Sequence, residues 1–205
     1  MRDALQVLWR AGVQFERYGW LYVATNLMAV ALSIPVITAP VAFAGLSRLS
    51  HTAQTGLTAT YSDFWQGVRD HFWRGILAGI ANVGVLGILW VNFYGYRYQT
   101  DWLAAWLRLM WIIILVVWLG VQFYLWPMLE EMQQPNLRGA VRNAALMLLQ
   151  NPLFSLTLFV AVGLIAAIST VLVVPWLLFS ESVIACIANA AVLNRLEKYR
   201  AERTM

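Results

Sequence analysis

Apolar runs long enough to cross a bilayer constrain this chain more than any other feature. A helix needs about 20 apolar residues to pass the hydrocarbon core. Five such stretches can be drawn, over about residues 19–46, 75–94, 103–129, 153–174 and 176–193. Little sequence is left for anything else. Apolar residues make up 61% of the chain and charged residues only 12%, whereas about a quarter of a soluble domain is charged. So few charges do not clothe a surface in water. The expected fold is all-α: a polytopic transmembrane helical bundle of about five spans, forming one membrane domain over residues 1–205. Its first partner is the lipid bilayer.

Between the spans lie amphipathic segments. Residues 1–17 place Leu5, Leu8, Trp9, Gly12 and Val13 near helical spacing. A surface helix is expected over 60–74, started by the capping-box pattern of Thr60 and Asp63. A second is expected over 136–150, opened by Pro135-Asn136 and closed by Asn151-Pro152. Both should rest at the membrane surface. Phe64-x-x-x-Val68-Arg69-Asp70 echoes Leu137-x-x-x-Val141-Arg142-Asn143, the trace expected of an internal repeat.

Pro35 and Pro40 interrupt the first stretch, and each removes a backbone donor. A kinked helix is the first reading, with a short span followed by a half-helix as the alternative. Ser33 and Thr38 stand where they can bond the freed carbonyls. In the second stretch Gly75, Gly79 and Gly87 form a smooth ridge for close helix packing. Orientation follows the basic residues. Five spans put Arg48, Arg69, Arg74, Arg138, Arg142, Arg195, Lys198, Arg200 and Arg203 on one side. Arg2, Arg10, Arg17, Arg97 and Arg108 then lie on the other. The balance sets the tail in the cytoplasm and the N-terminus outside.

Several chemistries have no residues to carry them. The only lysine, Lys198, follows no glycine-rich loop, so a P-loop is excluded. His51 and His71 lack zinc-protease spacing, and Cys186 is alone, so no metal site is expected. No serine sits in a nucleophile elbow. No enzyme activity, cofactor or nucleic-acid partner is expected; the net charge of +4 is scattered over loops. Glu130 and Glu131 read as a solvated pair. With Arg138 they are the only polar group at headgroup level that a lipid-modifying enzyme would have.

One acid lies well inside a span. Glu181 is costly there unless paired, protonated or hydrated. With Asn189, Asn26, Asn82 and Gln122 it forms the candidate intramembrane polar site. The alternative for each is helix-to-helix hydrogen bonding.

The stretch Asn26-Leu27 through Ser33-Ile34-Pro35-Val36-Ile37-Thr38-Ala39-Pro40, followed by Tyr61-Ser62-Asp63-Phe64-Trp65, resembles the YesL-like family of bacterial integral membrane proteins, whose function is unknown. Tyr124-Leu125-Trp126-Pro127 and residues 137–152 are similar to that family's second half; Ala39-Pro40 departs from its glycine-containing turn. The resemblance implies a multi-pass protein of the inner membrane and an accessory or regulatory role in carbohydrate uptake. The partner implied is a sugar-transporter permease. The alternative is an autonomous, homo-oligomeric transporter or channel with a polar path near Glu181.

Overall fold

The computed structural model describes residues 2–203. Among them are nine α-helices: α1 (Arg2–Arg17), α2 (Gly19–Ser33), α3 (Ala39–Gln54), α4 (Tyr61–Asp70), α5 (Phe72–Gly95), α6 (Trp102–Glu130), α7 (Leu137–Gln150), α8 (Pro152–Leu172) and α9 (Glu181–Arg203). A 3-10 turn (Val36–Thr38) precedes α3, and a π-helical turn (Trp176–Ser180) leads into α9. Four helices, not five, are long and apolar enough to cross a membrane: α5, α6, α8 and the π-turn with α9. The chain is an integral, multi-pass membrane protein.

The expected first span, 19–46, is not one helix. The chain breaks after Ser33 because Pro35 cannot continue the hydrogen-bond ladder. Its 15-residue α2 is only about 22 Å long, too short for a bilayer core. Then α3 packs back against α2, and the hydroxyl of Tyr18, just ahead of α2, donates to the carbonyl of Leu57, just beyond α3. The pair is a hairpin. Its tip keeps its backbone groups satisfied: Ser33 donates to the Ala29 carbonyl at 2.8 Å, and Thr38 donates to those of Leu32 and Pro35.

Glycine decides where the hairpin docks. A Cβ on Gly79 would lie 2.1 Å from the Ile37 carbonyl oxygen, and one on Gly75 would lie 2.5 Å from the Val41 side chain. These two glycines bring α5 against the 3-10 turn and the start of α3, about 10 Å from the beginning of α5. Gly87, grouped with them on sequence grounds, meets nothing within 4 Å.

The start of α1 and the end of α9 lie on one side, which overturns the expected placement of the N-terminus and the tail on opposite sides. Asp3 pairs with Arg195 at 3.1 Å and with Lys198. Arg200 pairs with Glu131 at 2.8 Å, and His71 with Glu130 at 3.0 Å. The start of α1, the start of α5, the end of α6 and the C-terminal tail therefore share a near side. The chain between Asp3 and His71 returns to the side it left. Five spans required an odd crossing there; a hairpin makes none.

The amphipathic helices close on protein rather than lying on lipid alone. Phe64 and Val68 of α4 press on Gly45 of α3, and Leu148 of α7 presses on Gly120 of α6. In both halves a helix, a returning helix and a span follow in that order. Asp63 accepts from the Thr60 backbone at 2.7 Å to start α4, and Asn136 accepts from Gly139 at 2.6 Å to start α7. In α1 the buried face is Ala4, Val7 and Ala11, while Leu5, Trp9 and Val13 point outward. The small residues allow close contact with α9, so the bulky apolar stripe is left facing outward.

Residue burial is concentrated at the near side. In α6 it covers Gly120 to Leu129, whereas Leu103 to Leu119 are largely exposed apolar residues. The far parts of α5 and α8 are similarly bare. Gly79→Val should force backbone apart and destabilise the protein by roughly 2 kcal/mol or more, seen as a lower melting temperature in detergent. Gly87→Val, in open space, should leave it unchanged. Equal melting of the two variants would contradict the docking of α3 on α5.

Candidate functional site

Two adjacent acids end α6 and become the centre of a buried charge cluster. Glu130 is nearly inaccessible, its side chain 3% exposed, and receives Arg48 of α3 at 2.7 Å on one oxygen. Its other oxygen receives His71, the residue between α4 and α5, at 3.0 Å. The His71 ring is equally buried and lies beside Trp126, with ring centroids 6.0 Å apart. Arg74 completes the chain, donating to His71 Nδ1 at 3.2 Å and to the Asp70 carbonyl at 3.0 Å. Arginine only donates, so this contact makes His71 Nδ1 an acceptor. The Nε2–H is then given to Glu130. Glu131 makes the parallel contact: His51 of α3 at 2.9 Å and Arg200 of α9 at 2.8 Å. Burial pushes the Glu131 carboxyl up, and hydrogen bonds from His51 and Arg200 outweigh it, holding it below the usual carboxylate range.

This arrangement is not the solvated acid pair read from sequence. The adjacent acids turn to different partners, and Arg138 joins neither. What sequence reasoning missed were Arg48, His51, His71 and Arg74. The bonds of Arg48, His51 and His71 to the acids span 59 to 82 residues, so no local spacing announces them, and Arg74 joins only through His71. A cavity of about 360 Å³ opens beside Glu130, lined by Arg48, Asp70, His71, Arg74 and Gln133 among others. A larger surface depression, about 770 Å³, lies at the α1–α2 turn but is open and mostly apolar in its lining. Chemically the cluster is a lock between α3, α5, α6 and α9, with one face on the cavity. Among the described residues, no group of three or more His, Cys, Asp or Glu is arranged to hold a metal ion.

The residues proposed as an intramembrane polar site do not converge. Asn26 is fully buried and its amide donates to the carbonyls of Trp176 and Leu177 at 2.9 and 2.8 Å. Its oxygen accepts from the Ser182 backbone at 2.9 Å. Asn26 therefore satisfies the π-turn, where regular α-helical bonding lapses. Asn189 donates to Ser47 at 3.2 Å and to the Ala185 carbonyl, leaving its own buried oxygen without a partner. Asn82 accepts from the Trp118 indole at 3.0 Å, tying α5 to α6. Gln122 and Glu181 are half-buried, and their side chains have no hydrogen bond among the described residues. Glu181 sits directly after the π-turn, beside the Asn26 contacts but outside them.

No family model, curated protein or solved structure matches the chain. Its functional reading therefore rests on its own residues.

Removing one partner from a buried ion pair costs about 3–5 kcal/mol, because the other charge is stranded. Glu130→Ala strands Arg48 and turns the His71 Nε2–H towards nothing. Its melting temperature should fall well below that of Arg138→Ala, which touches no part of the cluster. Similar melting of these two variants would remove Glu130 from the structural core.

Proposed function

We propose that the protein is a non-catalytic accessory component of a membrane assembly serving carbohydrate uptake. The observation that carries the first part is the bareness of the far spans. Ile80, Ile88, Trp90 and Val91 of α5, Leu103 to Leu119 of α6 and Leu164 to Leu172 of α8 contribute large exposed apolar surfaces. A transporter working alone needs its spans to enclose a path. Here they form a packed near half and an open far half, and Asn26, Asn82 and Asn189 serve separate helix contacts. Gly84 and Gly87 of α5 meet nothing within 4 Å and leave room for a partner helix. The carbohydrate assignment is supported by the resemblance to the YesL-like family around Asn26 to Pro40 and Tyr61 to Trp65.

Orientation belongs to the same reading. All 14 Lys and Arg residues except Arg97 and Arg108 precede Gly75 in the first turn of α5, lie between α6 and α8, or follow Leu193. The turn between α8 and the π-helical segment has none. By the positive-inside tendency the near side, with both termini and the charge cluster, faces the cytoplasm. The resemblance to the YesL-like family supports the bacterial inner membrane as that membrane. A second reading, an autonomous homo-oligomeric transporter, is favoured by one observation: Glu181 stands in a span without a protein partner.

Affinity purification from native membranes in mild detergent tests the proposal. A sugar-importer permease should be recovered at near-stoichiometric level. Gly87→Leu should lower that recovery by about tenfold, equivalent to about 1.4 kcal/mol, while the variant still inserts and melts normally. Recovery of the chain alone as a homo-oligomer, with solute flux abolished by Glu181→Gln, would contradict it.

A further inference from the structure

We propose that the cavity beside the charge cluster binds the headgroup of an amine-bearing zwitterionic phospholipid, of the phosphatidylethanolamine type. This site is independent of whatever protein docks on the far spans.

The position of the cavity comes first. It lies at the junction of α4 and α5, where the chain passes from a charged segment into a span. The polar residues Asp70, His71 and Arg74 line it. The neighbouring Phe72 and Trp73 are exposed, Trp73 by 76%. Exposed aromatic residues at the start of a span mark the headgroup level. The opening is thus set at the depth where a lipid presents its phosphate and amine, not in bulk water and not in the acyl layer.

Size and chemistry then fit one ligand class. About 360 Å³ lies within the range of small-molecule pockets and exceeds the roughly 30 Å³ share of one water many times over. Two guanidinium groups line it. Arg74 spends a single nitrogen, on His71 and the Asp70 carbonyl, and pairs with no carboxylate among the described residues. Arg48 gives one nitrogen to Glu130 and remains half-buried at the cavity wall. Planar guanidinium donors suit phosphate oxygens. The anionic side is equally present. Asp70 is exposed and makes no ion pair among the described residues, and Gln133 adds an amide. Free phosphate alone leaves the Asp70 carboxylate facing it at a cost. A phosphate bearing an ammonium a few atoms away satisfies both signs. A trimethylated amine offers no N–H donor to Asp70, and a glycerol headgroup offers no positive charge.

His71 and Glu130 hold this frame. The ring accepts from Arg74 and donates to Glu130, so the Arg74 guanidinium is fixed at the rim. They are positioning residues, while Arg74 and Asp70 are the ones that touch the headgroup.

Native mass spectrometry of the full-length protein, stripped of lipid and offered equal phosphatidylethanolamine, phosphatidylcholine and phosphatidylglycerol, tests the assignment. The ethanolamine lipid should be retained about tenfold over the other two. Arg74→Gln should lose retention of all three. Asp70→Asn, a change at an exposed side chain, should keep phospholipid binding but lose the preference. Equal retention of the three lipids by the unaltered protein would overturn the proposal, as would unchanged selectivity in Asp70→Asn. Displacement of bound lipid by an equal concentration of glycerophosphoethanolamine would overturn the lipid source and leave a site for a soluble phosphate ester. Should Arg74→Gln melt early, the Asp70→Asn selectivity decides alone.

Discussion

Backbone polar groups in a bilayer have no water to turn to, and this chain interrupts its helices twice within apolar sequence. Each interruption leaves carbonyls that must find donors. At the tip of the α2–α3 hairpin the donors come from Ser33 and Thr38. At the π-turn before α9 two carbonyls are answered by Asn26 of α2, which also receives the Ser182 backbone. The second repair links the two breaks. The residue that satisfies the late turn sits on the helix that the early break shortens. A helix pair too short to cross the membrane is thereby fastened to a span that does cross it.

That fastening explains the uneven architecture. With the hairpin turned back, α3 is free to lie in the middle of the near half, where α2, α4, α5, α6 and α9 all reach it. Glycines at 45, 67, 75 and 79 give the neighbouring backbones room. The acids at the end of α6 then meet Arg48 and His51 from α3, so charge and close packing act on the same helix. The far halves have no such centre. They remain as bare hairpins whose apolar faces are left to lipid or to another protein.

Legibility in the sequence followed the range of the forces. The starts of α4 and α7 were readable because Thr60, Asp63 and Asn136 act within three residues. The ends of α6, α7 and α8 fell close to their expected places because proline and charge mark them locally. The break near Pro35 was visible, but not its direction. That is set by Ile37 meeting Gly79, a contact between distant segments. The face of α1 that packs on α9 is not announced by the sequence for a related reason. Bulk and apolarity identify an amphipathic face, yet close approach to α9 selected the alanines. Glu130 and Glu131 have no partner in the local sequence, and only the fold supplies the two histidines and two arginines that hold them.

The central claim is that residues between Asp3 and His71 enter and leave on one side, so that both termini share it. Single cysteines at Arg2, Tyr98 and Glu202, in a Cys186→Ala background, test this with a membrane-impermeant thiol reagent applied to intact cells and to inverted vesicles. The account predicts that positions 2 and 202 react from the same side and position 98 from the opposite one. Labelling of positions 2 and 202 from opposite sides would contradict it, because the α2–α3 segment would then cross the membrane once.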